Sequence, residues 1–147
     1  MINPQDIDIR KLLPQQPPMV MVDRLLSADL SSAVTAFEIR TDNLFVENGV
    51  LMSYALMENF AQTCAAQLGY VDKFIRGHDY VRIGYIGSVK KMCVEEVPRV
   101  GETLTTRMEI LDEVMDLMLV YAESFVGDRR IATVEMKIAL SGERITV

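Results

Sequence analysis

The stretch VLMSYALMENFAQTCAAQLGY, Val50 to Tyr70, carries the only long helical signal in the chain. Its polar positions are Glu58, Asn59, Gln62, Thr63 and Gln67, at offsets of one, four, five and nine from Glu58. At about 3.6 residues per turn these fall in a single narrow stripe on an otherwise apolar cylinder. A helix apolar around most of its circumference must be wrapped by other elements, and the rest of the chain offers strands.

Upstream, MVMVDRLLSADL (Met19–Leu30) and AVTAFEIRT (Ala33–Thr41) read as two strands around a Ser31-Ser32 turn, with Thr35, Phe37 and Ile39 on one face. Before them, DIDIRKLLPQQPP predicts a short helix stopped by Pro14, because proline disfavours helical geometry in the residue it follows. Downstream come YVRIGYIGSVKKMCV (Tyr80–Val94) and ETLTTRMEIL (Glu102–Leu111), the latter with Leu104, Thr106, Met108 and Ile110 on one side. LMLVYAESFV (Leu117–Val126) and RIATVEMKIAL (Arg130–Leu140) flank Gly127-Asp128, a hairpin signal, and Val134, Met136, Ile138 and Leu140 share a face. Strands on both sides of one buried helix predict an α+β hot-dog fold: an antiparallel sheet wrapped around one long central helix, as a single domain over residues 1–147. Such a small sheet leaves an edge strand open, so a dimer built by edge pairing is expected.

Half of the 147 residues are hydrophobic and 24% are charged, the balance of an ordinary globular domain. No apolar run approaches the ~20 residues of a membrane span. The opening MINPQDIDIRKLLPQQPP is polar and acidic where a secretory signal needs a basic end and an apolar stretch, so a cytoplasmic location is expected. Cys64 and Cys93 form no CxxC pair and the chain has one histidine, which argues against a metal site or a Cys-His nucleophile. Both cysteines are expected to be reduced, buried small hydrophobes. The net charge of −6 disfavours nucleic-acid binding, and the phosphate-cradling glycine loops GxxxxGK[ST] and GxGxxG are absent. No cofactor is expected.

With these elements placed, the chain resembles the 3-hydroxyacyl-(acyl-carrier-protein) dehydratases, the FabA/FabZ-like hot-dog family. KLLPQQPPMVMVDRLL is similar to the family's opening, with Leu12, Leu13, Pro14, Val22, Asp23 and Arg24 in the matching places. LMENFAQTCAA resembles the central helix, in which Glu and Gln sit four apart, here Glu58 and Gln62. YIGSVKKMCV, Gly101-Glu102 and SFVGDRRIATVEMKIAL resemble the later strands, so the likeness runs from about Asp6 to Leu140. The departure is at the chemistry. The family's loop reads His-Phe-Pro-Gly, and a second Pro-Gly opens the helix. Leu44 occupies the His position, Phe45 is kept, Val46-Glu47 replace the first Pro-Gly, and Met52-Ser53 replace the second. His78, in RGHDY, lies at the far end of the helix and reads as a solvated loop residue.

In the family, dehydration uses His as base at C2, the helix carboxylic acid at the departing hydroxyl, and the helix N-terminus at the thioester carbonyl. Leucine cannot accept a proton, so the resemblance implies a chain inactive by itself. The family's site also spans a dimer interface, with His and the acid from different subunits. A homodimer of this chain would lack His in both sites, whereas a heterodimer with a His-bearing relative would complete one pair with Glu58. Phe45, Met52, Ser53 and Met57 are the expected substrate-binding residues, and an acyl-carrier-protein or coenzyme A thioester the expected ligand. Glu58 and Gln62 also fit an ordinary polar helix face. Two other readings stand beside the half-site: a hot-dog thioesterase activating water with Glu58, and a non-catalytic acyl binder or scaffold lined by Met52, Met57 and Phe60. Docking of an acidic carrier protein would use the positive run Lys73, Arg76, Arg82, Lys90, Lys91 and Arg99, chiefly Arg82, Lys90 and Lys91.

Overall fold

The protein was studied as a computed structural model that describes residues 2–146. Its one α-helix, α1, spans Tyr54–Tyr70 and runs on as a wider π-turn over Val71–Ile75. The strands are β1 (Arg24–Ala28), β2 (Ser32–Glu38), β3 (Val46–Glu47), β4 (Val50–Leu51), β5 (Val81–Val94), β6 (Thr103–Val114), β7 (Leu117–Val126) and β8 (Arg129–Ile145). Six of them form one antiparallel sheet in the order β1-β2-β6-β7-β8-β5, and β3 pairs only with β4.

The alternation read from the sequence sets the inner face of this sheet. Thr35 and Phe37 of β2, Leu104, Thr106 and Met108 of β6, and Val134, Met136 and Ile138 of β8 are all buried. They close on Leu56, Phe60, Cys64 and Ala66 of α1, which are buried in turn. Each Leu- or Phe-sized side chain so removed from water contributes roughly 1.5–3 kcal/mol, so the wrap itself is the main stabilisation of the helix. An antiparallel sheet folded around one long helix is the hot-dog fold.

Several boundaries differ from the sequence reading. The helix starts at Tyr54 rather than Val50, because Val46–Leu51 fold as a tight hairpin. Asn48 and Gly49 sit at its tip with φ of 54° and 80°, the paired left-handed conformation of an Asn-Gly turn. The expected helix before Pro14 is instead two 3₁₀ turns, Pro4–Asp6 and Ile9–Lys11, started by the side chains of Asn3 and Asp8. The Leu12 backbone then lies so close to α1 that a Cβ on Gly69 would overlap its carbonyl oxygen. Residues 19–22 stay out of the sheet, with main-chain groups of Met19 and Met21 bonded to helix side chains, and only the Asp23 N–H reaches the Ala36 carbonyl of β2. Strand β6 runs past Leu111 to a Met115-Asp116 turn, and β8 continues to Ile145, where it meets Val81 of β5. Cys64 is buried as expected but Cys93 is exposed, because it lies on the edge strand β5, where nothing covers residues 84–94.

One ion pair ties the end of the helix to that edge. The Asp72 carboxylate is wholly buried, accepts hydrogen bonds from the Arg82 backbone N–H at 2.9 Å, and pairs with Arg82 Nε at 2.9 Å. Among the described residues no helix is long and apolar enough to cross a membrane. Asp72→Ala leaves Arg82 without its partner and frees the start of β5. It is expected to cost about 3 kcal/mol in urea unfolding, in keeping with breaking buried pairs; a loss under 1 kcal/mol would show the pair to be peripheral.

Candidate functional site

The polar stripe of α1 faces inward. Gln62 is fully buried, and each polar atom of its amide is used. Its Oε1 accepts from the Met21 N–H at 2.6 Å, while Nε2 donates to the Met19 carbonyl at 2.7 Å and to Glu58 Oε1 at 2.8 Å. Because the Met21 N–H demands an acceptor, the amide has only one orientation, and it presents N–H to Glu58. Asn59 donates to the Met21 carbonyl at 2.8 Å and accepts from Thr106 Oγ1 at 2.6 Å, which also meets Ser124 Oγ at 2.7 Å. Thr63 bonds across to Thr35 at 2.8 Å and back to the Asn59 carbonyl at 2.9 Å. Each of these three finds its partners, as a buried polar network must; further along the stripe Gln67 donates Nε2 to the Asp29 carbonyl at 2.9 Å, while its buried Oε1 meets no donor among the described residues.

Glu58 is the half-buried outer member of this network. Gln62 holds its Oε1, and no other described group bonds Oε2, which is the oxygen left to meet a ligand. Gln62 thus orients Glu58, and its amide is itself fixed by main chain 41 and 43 residues upstream.

The loop before the helix holds the residues set against the family pattern in the sequence. Leu44 is 60% exposed and donates nothing to the site. Phe45 is half-buried, its N–H bonded to Asn43 Oδ1 at 2.8 Å and its carbonyl to the Met52 N–H at 2.8 Å. Its ring meets Tyr54 edge-on, with centroids 5.8 Å apart, so the hairpin loop is pinned to the first helical turn, one turn before Glu58. Ser53 is exposed at the helix start and its hydroxyl caps nothing. Met52 and Met57 are half-buried. His78 is exposed beyond the C-terminal end of the helix and stacks on Tyr80.

One turn after Glu58, the helix face of Ala61, Cys64, Ala65 and Leu68 meets residues 83–86 of β5 across a largely apolar cavity of about 300 Å³. Small side chains on the helix leave this room. Met52, Met57 and Phe60 do not line it, and Phe60 is instead sealed in the core. Periodicity could have found the cavity wall, since 61, 64, 65 and 68 share the face that runs on from 58. Burial pushes the Cys64 thiol up to about 12, so it serves here as a small apolar wall rather than a nucleophile. Of the expected docking residues, Lys90 and Lys91 are exposed on β5, while Arg82 is engaged by Asp72.

A sequence model of the ApeP-like family, described as ApeP dehydratase, matches residues 7–141. The 3-hydroxyacyl-[acyl-carrier-protein] dehydratase FabZ of Desulfotalea psychrophila is 26% identical, over 95% of this chain and 97% of its own. The FabZ of Oenococcus oeni is 31% identical over 74% and 78%. Among solved structures, a chain of the dehydratase heterocomplex ApeI:P from Xenorhabdus doucetiae superposes with a TM-score of 0.84 at 15% identity, covering 93% of each chain. A hypothetical thioesterase with coenzyme A from Streptococcus pneumoniae gives 0.66 at 9% identity, over 83% and 88%. At these identities the structural likenesses establish the fold.

With its thiol held up near 12, Cys64 is expected to resist iodoacetamide at pH 8 in the folded chain and to react on unfolding. Peptide mapping of the alkylated protein checks this; rapid native labelling of Cys64 would mean that the cavity wall opens.

Proposed function

The chain belongs to the ApeP-like dehydratase family, and we propose that it is the His-lacking subunit of a heteromeric 3-hydroxyacyl thioester dehydratase in cytoplasmic fatty-acid-type metabolism. The observation that carries this reading is a carboxylate prepared for work beside a loop that cannot work. Glu58 is held by Gln62 with one oxygen free, and Leu44 stands where the family has its base.

In the proposed reaction a histidine of the partner takes the proton from C2 of the 3-hydroxyacyl thioester. The electron pair forms the C2=C3 bond and the C3–O bond breaks. Glu58, as the carboxylic acid, gives its proton to the departing hydroxyl, which leaves as water, and the C2 proton passes back to reset the pair. Hydrogen bonding by Gln62 keeps Oε2 aimed outward during both steps. The acyl chain lies along Ala61, Cys64 and Ala65, whose small side chains continue from Glu58 into the cavity.

We infer that the partner binds at β5. This edge of the sheet is open for fourteen residues and carries exposed Tyr85, Ile86, Val89 and Met92. An uncovered apolar edge of this length invites a strand from another chain. The heterocomplex to which the fold is similar supports a hot-dog partner in preference to a second copy, which would add no histidine at the position of Leu44. Lys90 and Lys91, at that edge, offer local positive charge to an acidic carrier protein. The other expected substrate-binding residues, Phe45, Met52, Ser53 and Met57, lie at the entrance to the helix and would meet the thioester end.

The chain alone is expected to give no dehydration of a 3-hydroxyacyl-carrier-protein substrate, monitored by enoyl formation. Mixing with a His-bearing hot-dog subunit should raise activity, and Glu58→Gln in this chain should lower that gain by about 10²–10⁴-fold. Turnover by the chain alone would falsify the half-site reading. Thioester hydrolysis lost in Glu58→Gln would instead assign it to thioesterases, and carrier-protein binding without either activity would leave a scaffold.

A further inference from the structure

A second concavity, of about 430 Å³, opens beyond the C-terminal end of α1, between the π-turn and the strands β5 and β8. Along the helix, at about 1.5 Å per residue, it lies roughly 20 Å from Glu58. Three arginines are among the residues that line it, Arg76, Arg82 and Arg144. In a chain of net charge −6 this is a local reversal of sign.

Two of the three are held in ways that leave their terminal donors open. Arg82 spends its backbone N–H and Nε on the buried Asp72 carboxylate, at 2.9 Å each, which fixes the plane of the guanidinium. Its two terminal nitrogens make no hydrogen bond to the described residues. Arg144 lies over the face of Tyr80, 4.6 Å from the ring centroid, and Tyr80 stacks on His78 at 4.7 Å with 16° between the rings. That three-layer stack orients Arg144 without using its N–H donors. Neither Arg76 nor Arg144 has an acidic partner within ion-pair distance among the described residues. Asp72 is paired with Arg82, so one other acid, Asp116, lines the wall together with Arg76 and Arg144.

Planar donors lining one concavity suit a multi-oxygen anion, since each guanidinium can give two parallel N–H bonds. We propose that the Arg76–Arg82–Arg144 cavity is a binding site for a multi-oxygen anion, a phosphate or a carboxylate, separate from the Glu58 end of the helix. The oxyanion could be supplied by the nucleotide end of a coenzyme or by the charged terminus of an acyl chain, because Arg82 also lines the apolar cavity next to α1. The proposal does not rest on the dehydratase reading and is tested by binding alone.

His78 is the sole histidine, so its imidazole proton resonances report on this wall without labelling. Titrating the full chain with inorganic pyrophosphate at low salt is expected to shift them saturably. Calorimetry should give binding that weakens by about ten-fold or more in Arg76→Ala/Arg144→Ala, whose two sites are exposed, and that Glu58→Gln leaves unchanged. Adenosine 3′,5′-bisphosphate binding more tightly than pyrophosphate would identify the nucleotide source, and displacement of pyrophosphate by suberate the carboxylate source. An absence of saturable pyrophosphate binding into the millimolar range, or equal binding by the double variant, overturns the proposal.

Discussion

Everything in this molecule depends on satisfying the polar side chains of a helix that the sheet has enclosed. Gln62, Asn59 and Thr63 have no access to water, and an amide or hydroxyl left unpaired there costs about 1–3 kcal/mol. Their partners are spread over the Met19–Met21 main chain, Thr35 of β2, Thr106 of β6 and Ser124 of β7. A turn of the helix about its axis by one residue would break all of these bonds together. The network therefore sets the rotation of α1, and with it which face looks toward β5 and which end carries Glu58. The stability of the core and the placement of the carboxylate are one problem with one solution.

That coupling explains how much could be read beforehand. Alternation in Leu104–Ile110 and Val134–Leu140 gave the inner face of the sheet, because a half-buried strand has only two faces to choose between. The stripe on α1 was visible too, but its meaning was not: a polar face toward solvent and a polar face toward a buried main chain have the same spacing. Only the upstream segment decides, and residues 19–22, which looked like the first half of a strand, turn out to be the partner of Gln62 and Asn59. The Asn48-Gly49 pair is a turn signal in two letters, but the apolar residues after it suit a helix equally well, so the pattern alone does not fix where the helix starts. Cys93 was misplaced since no local pattern says that a strand lies at an edge. The long reach of β8 to Ile145 likewise depends on its pairing with β5, some fifty residues away in sequence.

The two halves of the candidate site are under unequal constraint. Gln62 would be needed by the fold whatever the chemistry, because it closes the bonds of Met19 and Met21. The loop before the helix carries no such duty. Leu44 is exposed, and the β3–β4 hairpin that follows it is held by its own turn and by Phe45 against Tyr54. A loop of this kind can be rewritten while the helix behind it stays intact.

The order of the strands has a consequence for how the protein is made. Strand β8 is the last of the chain's strands, yet it lies inside the sheet, between β7 and β5. During synthesis β5 emerges early and has no neighbour until β8 arrives, more than thirty residues later. For that interval the helix face of Ala61, Cys64 and Ala65 has no wall, and a long apolar strand stands unpaired on both sides. At ribosomal rates of about 5–20 residues per second, the gap lasts for seconds, within reach of chaperones and of other nascent chains. An assembly partner already present in the cell could meet β5 before this chain has closed its own sheet.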